Sequence, residues 1–552
     1  MLKFSVFDKG QPARMFVLRN AHLLGADNIG VRGTIGFDGG LIVCEKRAGG
    51  PAALALQFDA GDVGCVTLGT CLLPERDEPY LLSLELARHR LMMMLAKQEE
   101  WMMFDLSADH PAMRRIASAR SLFVKALNLQ DDQAAADKVA RDCLSAAMDA
   151  SEELALAHAE TLLNRRRNAG QFHKGIFGCG IALGYNSDKA RASLAANFDF
   201  VSLPVRWKQI EPLEQQYDWS MLDSWGEWAY RTRMPILAGP VISFEEHCSP
   251  DWLGVLEHDY DTIRDILYEH VERLVGRYRN AVTLWNVVSG IHTNSQLNLT
   301  LDQLMDLTRM AVMLTKKIQP TARVLVEITH PWGEYYSVNS RSIPPLIYAD
   351  MVLQAGIPID AFGVKVLMGR AKDGQYTRDL MQISAMLDKF SGMGKPLHVT
   401  GVAVPSGAIA LETGGGAEEP DGIAGMSGMM TGGVGGFGSG GGSGSGGGGG
   451  PTTPGDGDSG YWRKPWSPLV QSHWLEAFYN IALSKPFVDS VTWLDLLDHD
   501  QSELPHGALA TSTMKAKGAF HRIVGIRRNI HAGNTPANAR PVGFSAGTNS
   551  NA

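Results

Sequence analysis

The sequence predicts an α/β fold: a (β/α)8 TIM barrel preceded by a small β-rich domain and a helical segment. Three observations carry this. The hydrophobic period changes twice along the 552 residues, from alternation to helical stripes to a strand–helix repeat. The repeat contains eight apolar strand runs, each followed by amphipathic or polar sequence. Most of those runs are continuously apolar rather than alternating, as parallel strands covered on both faces must be.

Residues 1–78 read as a sandwich-like β-rich domain. Leu2, Phe4 and Val6 alternate, as do Leu54, Leu56 and Phe58, so each set occupies one face of a strand. Glycine-rich turns at 38–40 and 48–50 separate the runs. Residues 79–170 read as a helical connecting segment. Leu81, Leu84, Leu91 and Leu95 share one stripe, and Val139, Cys143, Ala147, Ala150 and Leu154 another. The Met-rich clusters 91–95 and 101–104 offer either an adaptable binding surface or packing between two domains. Arg165–Arg167 places cations where they suit a helix C-terminus.

Residues 171–525 read as the barrel. Its strands are expected at 176–183, 198–204, 234–242, 281–288, 322–328, 359–367, 396–404 and 488–496, with a helix at 260–278 among the connecting segments. A disordered Gly-rich insertion, 406–460, interrupts the repeat; between 432 and 450, 14 of 19 residues are Gly. Such a stretch buries too little apolar surface to offset its ordering entropy. The polar tail 526–552 is expected to be disordered as well.

Composition narrows the function classes. Net charge is −8 and the pI about 6.1, which argues against nucleic acid as a partner. Hydrophobic content of 45% and charged content of 20% are those of a globular protein. The six cysteines show no C-x-x-C spacing. The N-terminus lacks a signal-peptide core, and no run approaches the ~18 apolar residues of a membrane span, so no membrane partner and a cytoplasmic location are expected. Nothing fixes an oligomeric state.

The barrel resembles glycoside hydrolase family 10, the xylanase family. FDFVSLPVRWKQIEP (198–212) with YDWSMLDSWGEWA (217–229) is similar to the family's second strand and following helix, with Arg206–Trp207 in place of its Lys-Trp pair. Pro250-Asp251-Trp252, PIDAFGVKV (358–366) and Trp493 match further family positions. The family's strand four ends in an acid/base glutamate and its strand seven in a nucleophilic one. Here strand four runs Trp285-Asn286-Val287-Val288-Ser289-Gly290 and strand seven ends Thr400-Gly401, so Gly290 and Gly401 stand at both catalytic positions. Leu367 replaces the family's strand-six histidine. Retaining hydrolysis needs two carboxyls about 5–5.5 Å apart, and glycine supplies neither.

Other acids ring the expected mouth. Glu245 and Glu246 follow strand three, Glu327 ends strand five, and Asp495 ends strand eight; these are the candidate substitutes. Glu327 is equally placed to pair with Arg206 or Lys365, as buried acids usually are paired. Candidate substrate-binding residues are Arg206, Trp207, Trp285, Asn286, Lys365 and Trp493. His247, His330 and His499 share no metal-ligand spacing, so no metal is expected, and no cofactor is implied. The first functional reading is a carbohydrate-binding or scaffolding pseudo-enzyme whose ligand is an oligosaccharide or polysaccharide. The alternative is an active O-glycosyl hydrolase with relocated carboxylates. The third is an interaction protein acting through the N-terminal sheet and Met-rich helix.

Overall fold

Parallel strands close into a ring between Phe177 and Trp493. They are β1 (Phe177–Gly180), β2 (Phe200–Pro204), β3 (Ile236–Gly239, resumed at Ile242–Ser243), β4 (Leu284–Ser289), β5 (Arg323–Ile328), β6 (Ala361–Leu367), β7 (Leu397–Ala403) and β8 (Val488–Trp493). Each pairs with its sequence neighbour; β1 pairs with β8, and Leu237 opposite Leu284 joins β3 to β4. The barrel is closed, as the sequence predicts. This computed structural model describes residues 1–47, 49–409 and 459–532; most of the Gly-rich insertion and the tail from 533 lie outside the described residues.

The strands form because they are buried on both faces. Val287, Val288, Val324, Val326, Val364 and Val366 are all fully buried. Several barrel helices carry a side-chain cap at their N-terminus, among them Asp188–Asn197, Tyr260–Tyr278, Leu380–Ser391 and Pro468–Ser484. Leu301–Ile318 turns Leu304, Leu307, Ala311 and Leu314 inward, and begins in a capping box formed by Thr300 and Gln303. Removing the Thr300 hydroxyl is expected to cost about 1 kcal/mol. Inside the ring, Phe200, Leu237, Leu325 and Ala361 form an apolar plug at the strands' N-terminal end. The polar interior residues therefore gather above it, towards the C-terminal mouth.

The first 81 residues form two larger sheets, antiparallel except where 80–81 runs parallel to 2–5, and a short hairpin of 7–8 with 11–12. One has the spatial order 80–81, 2–5, 41–46, 33–38; the other runs 461–462, 64–69, 53–59, 22–24, 30–31. The outer strand Tyr461–Trp462 comes from beyond the Gly-rich insertion, so the barrel chain completes the N-terminal sheet. Three helices follow: α1 (Leu82–Glu100), α2 (Pro111–Leu127) and α3 (Gln133–Asn168). Ala136, Ala140, Cys143, Ala147 and Leu154 line the buried side of α3, and Leu2, Phe4, Leu54, Leu56 and Phe58 share a core with it. On α1 the Met-rich cluster divides: Met94 is fully buried and Met92 is 55% exposed.

The helical segment is tied to the barrel wall by charge. Arg90 makes two bonds to Asp379, at 2.9 and 2.6 Å. Glu152 accepts from Arg463 at 2.6 Å, Trp462 at 2.8 Å and the Leu380 amide at 3.1 Å. Arg165–Arg167 fall in the last turn of α3, as expected, and Arg166 is buried there, donating to the carbonyls of Leu483, Lys485 and Val488. The last helix, Gly518–His531, runs past the expected barrel end at 525 because Ile530 is buried and Arg527 and His531 reach Asp199.

Candidate functional site

The upper interior of the barrel is polar. The strand register sets Glu327 of β5 beside Ser289 of β4, and Lys365 of β6 beside Gly401 of β7. Register shifts interrupt the pairing at Asn286/Val288 and at Val364/Lys365, and such bulges re-aim side chains near the rims of barrels. Asn286 donates to Glu327 Oε2 at 2.7 Å and Ser289 donates to Oε1 at 3.3 Å. The expected pairing of Glu327 with Arg206 or Lys365 is not found. Arg206 reaches the Gln501 carbonyl at 2.8 Å, and Lys365 holds both oxygens of Glu503 at 3.1 and 3.2 Å.

A second group sits over this layer. Glu245 and His247 follow β3, and Glu503 lies in the loop after β8. His247 Nε2 is 3.6 Å from Glu245 and 3.4 Å from Glu503. Burial works against every charge here, and the neighbours decide the outcome. Burial opposes ionisation of Glu503 and Glu245, but Lys365 and His247 prevail and hold both carboxyls below the usual range. Burial pulls the His247 imidazole down, yet Glu503 and Cys248 together outweigh it and the pKa is pushed up to about 11. Glu327 goes the other way: burial raises its carboxyl, Lys365 only partly offsets that, and Glu245 and Glu503 add to the rise. The mouth thus holds two carboxylates, two cations and one carboxyl inclined to keep its proton.

The two glycines are enclosed. Gly290 has φ +64°, a left-handed conformation that costs an L-residue about 1–2 kcal/mol. A Cβ there would lie 2.8 Å from Thr329 Oγ1 and 3.0 Å from Glu245 Oε1. A Cβ on Gly401 would lie 3.2 Å from Leu494 and 3.4 Å from the Lys365 stem. The space left at the mouth is a cavity of about 60 Å³, lined among others by Arg206, Asn286, Glu327, Lys365, Asp495 and Glu503.

The structure brings Asn286, Glu327, Lys365 and Glu245 together, with Arg206 and Asp495 at the edge. Asp495 accepts from Ser502 at 2.6 Å and stands 3.3 Å from His499. It does not bring the three tryptophans to the mouth. Trp285 Nε1 donates to Gln319 at 2.9 Å, at the end of an outer helix; neighbouring strand residues face opposite sides, so Asn286 points inward and Trp285 outward. Trp493 lies opposite cavity-lining Leu494 and donates to the Gly507 carbonyl at 2.9 Å. Trp207 stacks on His270 at 4.2 Å and donates to Glu211. Glu246 is exposed. Sequence reasoning missed Glu503 because 256 residues separate it from His247; its one signal is an acid in the segment following strand eight.

These features define a (β/α)8 barrel with a carboxylate-bearing C-terminal mouth, the end at which enzymes of this fold react. Residues 169–409 match the model of glycosyl hydrolase family 10, so the resemblance read in the sequence holds for the barrel. Endo-1,4-beta-xylanase 3 from Hypocrea jecorina, found in two strains, is 23% identical over 166 residues, or 29% of this chain and 45% of that protein. The chain therefore spans less than half the length of these curated relatives. Native xylanase 10B from Thermotoga maritima is 14% identical with TM-score 0.43, over 68% of this chain and 99% of that one. Xylanase 10B from Thermotoga petrophila in complex with xylobiose is 13% identical with TM-score 0.43, over 66% and 97%. A family-10 structure from Paenibacillus barcinonensis is 17% identical with TM-score 0.44, over 66% and 97%.

Proposed function

We propose that this chain is a family-10-like barrel without the family's hydrolytic pair, acting as a carbohydrate-binding or scaffolding protein. The observation that carries this reading is the pair of enclosed glycines. Gly290 and Gly401 supply no carboxyl, and Thr329, Glu245, Leu494 and Lys365 fill the space a side chain would enter. The cavity of about 60 Å³ accommodates a few waters. It falls far below the ~300–1,000 Å³ of sites that enclose a small-molecule ligand. A sugar chain would therefore lie across the rim rather than descend into the ring. The xylobiose bound by the Thermotoga petrophila enzyme makes xylo-oligosaccharides the first ligands to try.

Isothermal titration with xylo- and cello-oligosaccharides tests the binding claim. Saturable heat with either supports it; no heat with any glycan leaves only a scaffolding role.

A second reading, hydrolysis by relocated carboxylates, draws on one observation. Donor atoms of Glu245 and Glu503 lie within 4.8 Å of each other, near the separation of a retaining pair. Against it, Lys365 and His247 hold both groups ionised, while such a pair needs one proton donor. Turnover of an aryl β-xyloside that disappears in Glu245→Gln or Glu503→Gln would establish this second reading and remove the first.

A further inference from the structure

We propose that Glu245, His247 and Glu503 form a site for one divalent transition-metal cation of the zinc type at the mouth of the barrel. This goes beyond the glycan reading and stands whether or not a sugar binds. One donor atom from each side chain lies within 4.8 Å of the other two. The imidazole Nε2 stands 3.6 Å from the Glu245 carboxylate and 3.4 Å from that of Glu503. These gaps exceed the roughly 2.7–2.9 Å of a charge-assisted hydrogen bond. They match the edge of a coordination tetrahedron, because bonds of about 2.0–2.2 Å to nitrogen and oxygen set neighbouring ligands roughly 3.3–3.6 Å apart. The third edge, between Glu245 and Glu503, lies within 4.8 Å and closes onto one ion by side-chain rotation.

An independent feature of the cavity points the same way. Asn286 lines it together with His247 and Glu503, is 2% exposed, and leaves its Oδ1 without a hydrogen-bond partner. Buried acceptors are normally satisfied. Three protein ligands leave one tetrahedral position open. The cavity of about 60 Å³ has room for a water there, and a metal-bound water has protons to give to Asn286. One imidazole with two carboxylates suits zinc, cobalt or manganese; all-oxygen sets suit magnesium and calcium.

Two cations compete for the site: the proton on His247 Nε2, which the metal must displace to solvent before the imidazole can ligate, and Lys365. Its ammonium holds Glu503 at 3.1 and 3.2 Å, and a divalent charge beside it is repelled. A carboxylate can present one oxygen to the ammonium and the other to a metal, so Lys365 weakens the site without closing it. This separates a metal site from a bare network of ion pairs. Replacing Lys365 by a neutral residue should tighten a metal site, whereas a bare network offers a cation nothing to gain.

The test uses the full chain, stripped with a chelator and titrated with Zn2+ by calorimetry and with Co2+ by visible absorption. The expected result is one equivalent of Zn2+ and an intense tetrahedral Co2+ band. Affinity should fall at least about tenfold in His247→Ala and in Glu503→Gln, and rise about tenfold in Lys365→Met. Thermal unfolding in chelator checks that each variant folds; if His247→Ala does not, Lys365→Met decides. Absence of Zn2+ binding by the wild type, binding unchanged in His247→Ala, or no tightening in Lys365→Met would overturn the proposal.

Discussion

The mouth of the barrel and the seam between the barrel and its N-terminal helices both bury charge, and they resolve it in opposite ways. At the seam each carboxylate is met at close range: Asp379 by Arg90, Glu152 by Arg463, Trp462 and the Leu380 amide, and Asp388 by Lys485 at 2.6 Å and Trp101 at 2.9 Å. At the mouth His247 stands 3.6 Å from Glu245 and 3.4 Å from Glu503, and Glu327 is held by Asn286 and Ser289 rather than by a cation. The seam is built as a joint, with its carboxylates held at 2.6–3.1 Å. The mouth is built as a loose cluster in which several charges share partners, which leaves it able to exchange them for a ligand.

The strongest way to break this comparison is to remove one charge from each region. Asp379→Ala strands a buried guanidinium and should cost about 3–5 kcal/mol, read by urea denaturation. Glu503→Gln should cost less than Asp379→Ala, because Lys365 keeps Glu245 and Glu327 as alternative partners. Equal losses would erase the distinction.

Restoring side chains at the glycines comes next. Gly290→Glu forces a left-handed L-residue against Thr329 and sets a second carboxylate beside Glu245, and should cost about 2 kcal/mol or more. Gly401→Glu, with ordinary backbone geometry and its nearest contact at 3.2 Å, should cost less. The double variant should gain no xylosidase activity, because the receiving space is already filled.

The smallest effects are in pH dependence, and they carry opposite signs. Burial depresses His270 and His292 to about 3, and burial with Lys485 nearby takes His158 to about 4. The unfolded imidazoles, with pKa near 6.5, take up protons that the folded ones refuse. Stability from these groups is full above about pH 6.5 and falls as pH drops towards 4 for His158 and towards 3 for His270 and His292. His247 is raised to about 11, so its contribution is full below about pH 6.5 and fades as pH climbs towards 11. His247→Gln should flatten the alkaline side of a Tm–pH profile and His270→Gln the acid side; the reverse assignment would refute both.

The barrel was legible in the sequence because doubly covered parallel strands must be apolar runs, and all eight lie where Phe177 to Trp493 showed them. The glycines at 290 and 401 were legible as residues at the upper ends of the fourth and seventh strands. The facing of the tryptophans was not: strand pleating lets only one of Trp285 and Asn286 point inward, and a strand buried on both sides does not reveal which. Nor was the cluster of Glu245, His247 and Glu503, which closure of the ring assembles from the third and eighth loops. The filling of the glycine sites by Thr329 and the Lys365 stem depends on register, which composition does not carry.

Hydrolysis of an aryl β-xylobioside by the purified chain tests the central claim most directly. The account predicts a release rate indistinguishable from buffer, and the same for Glu327→Gln. A wild-type rate well above buffer that is abolished by Glu327→Gln, Glu245→Gln or Glu503→Gln would contradict it.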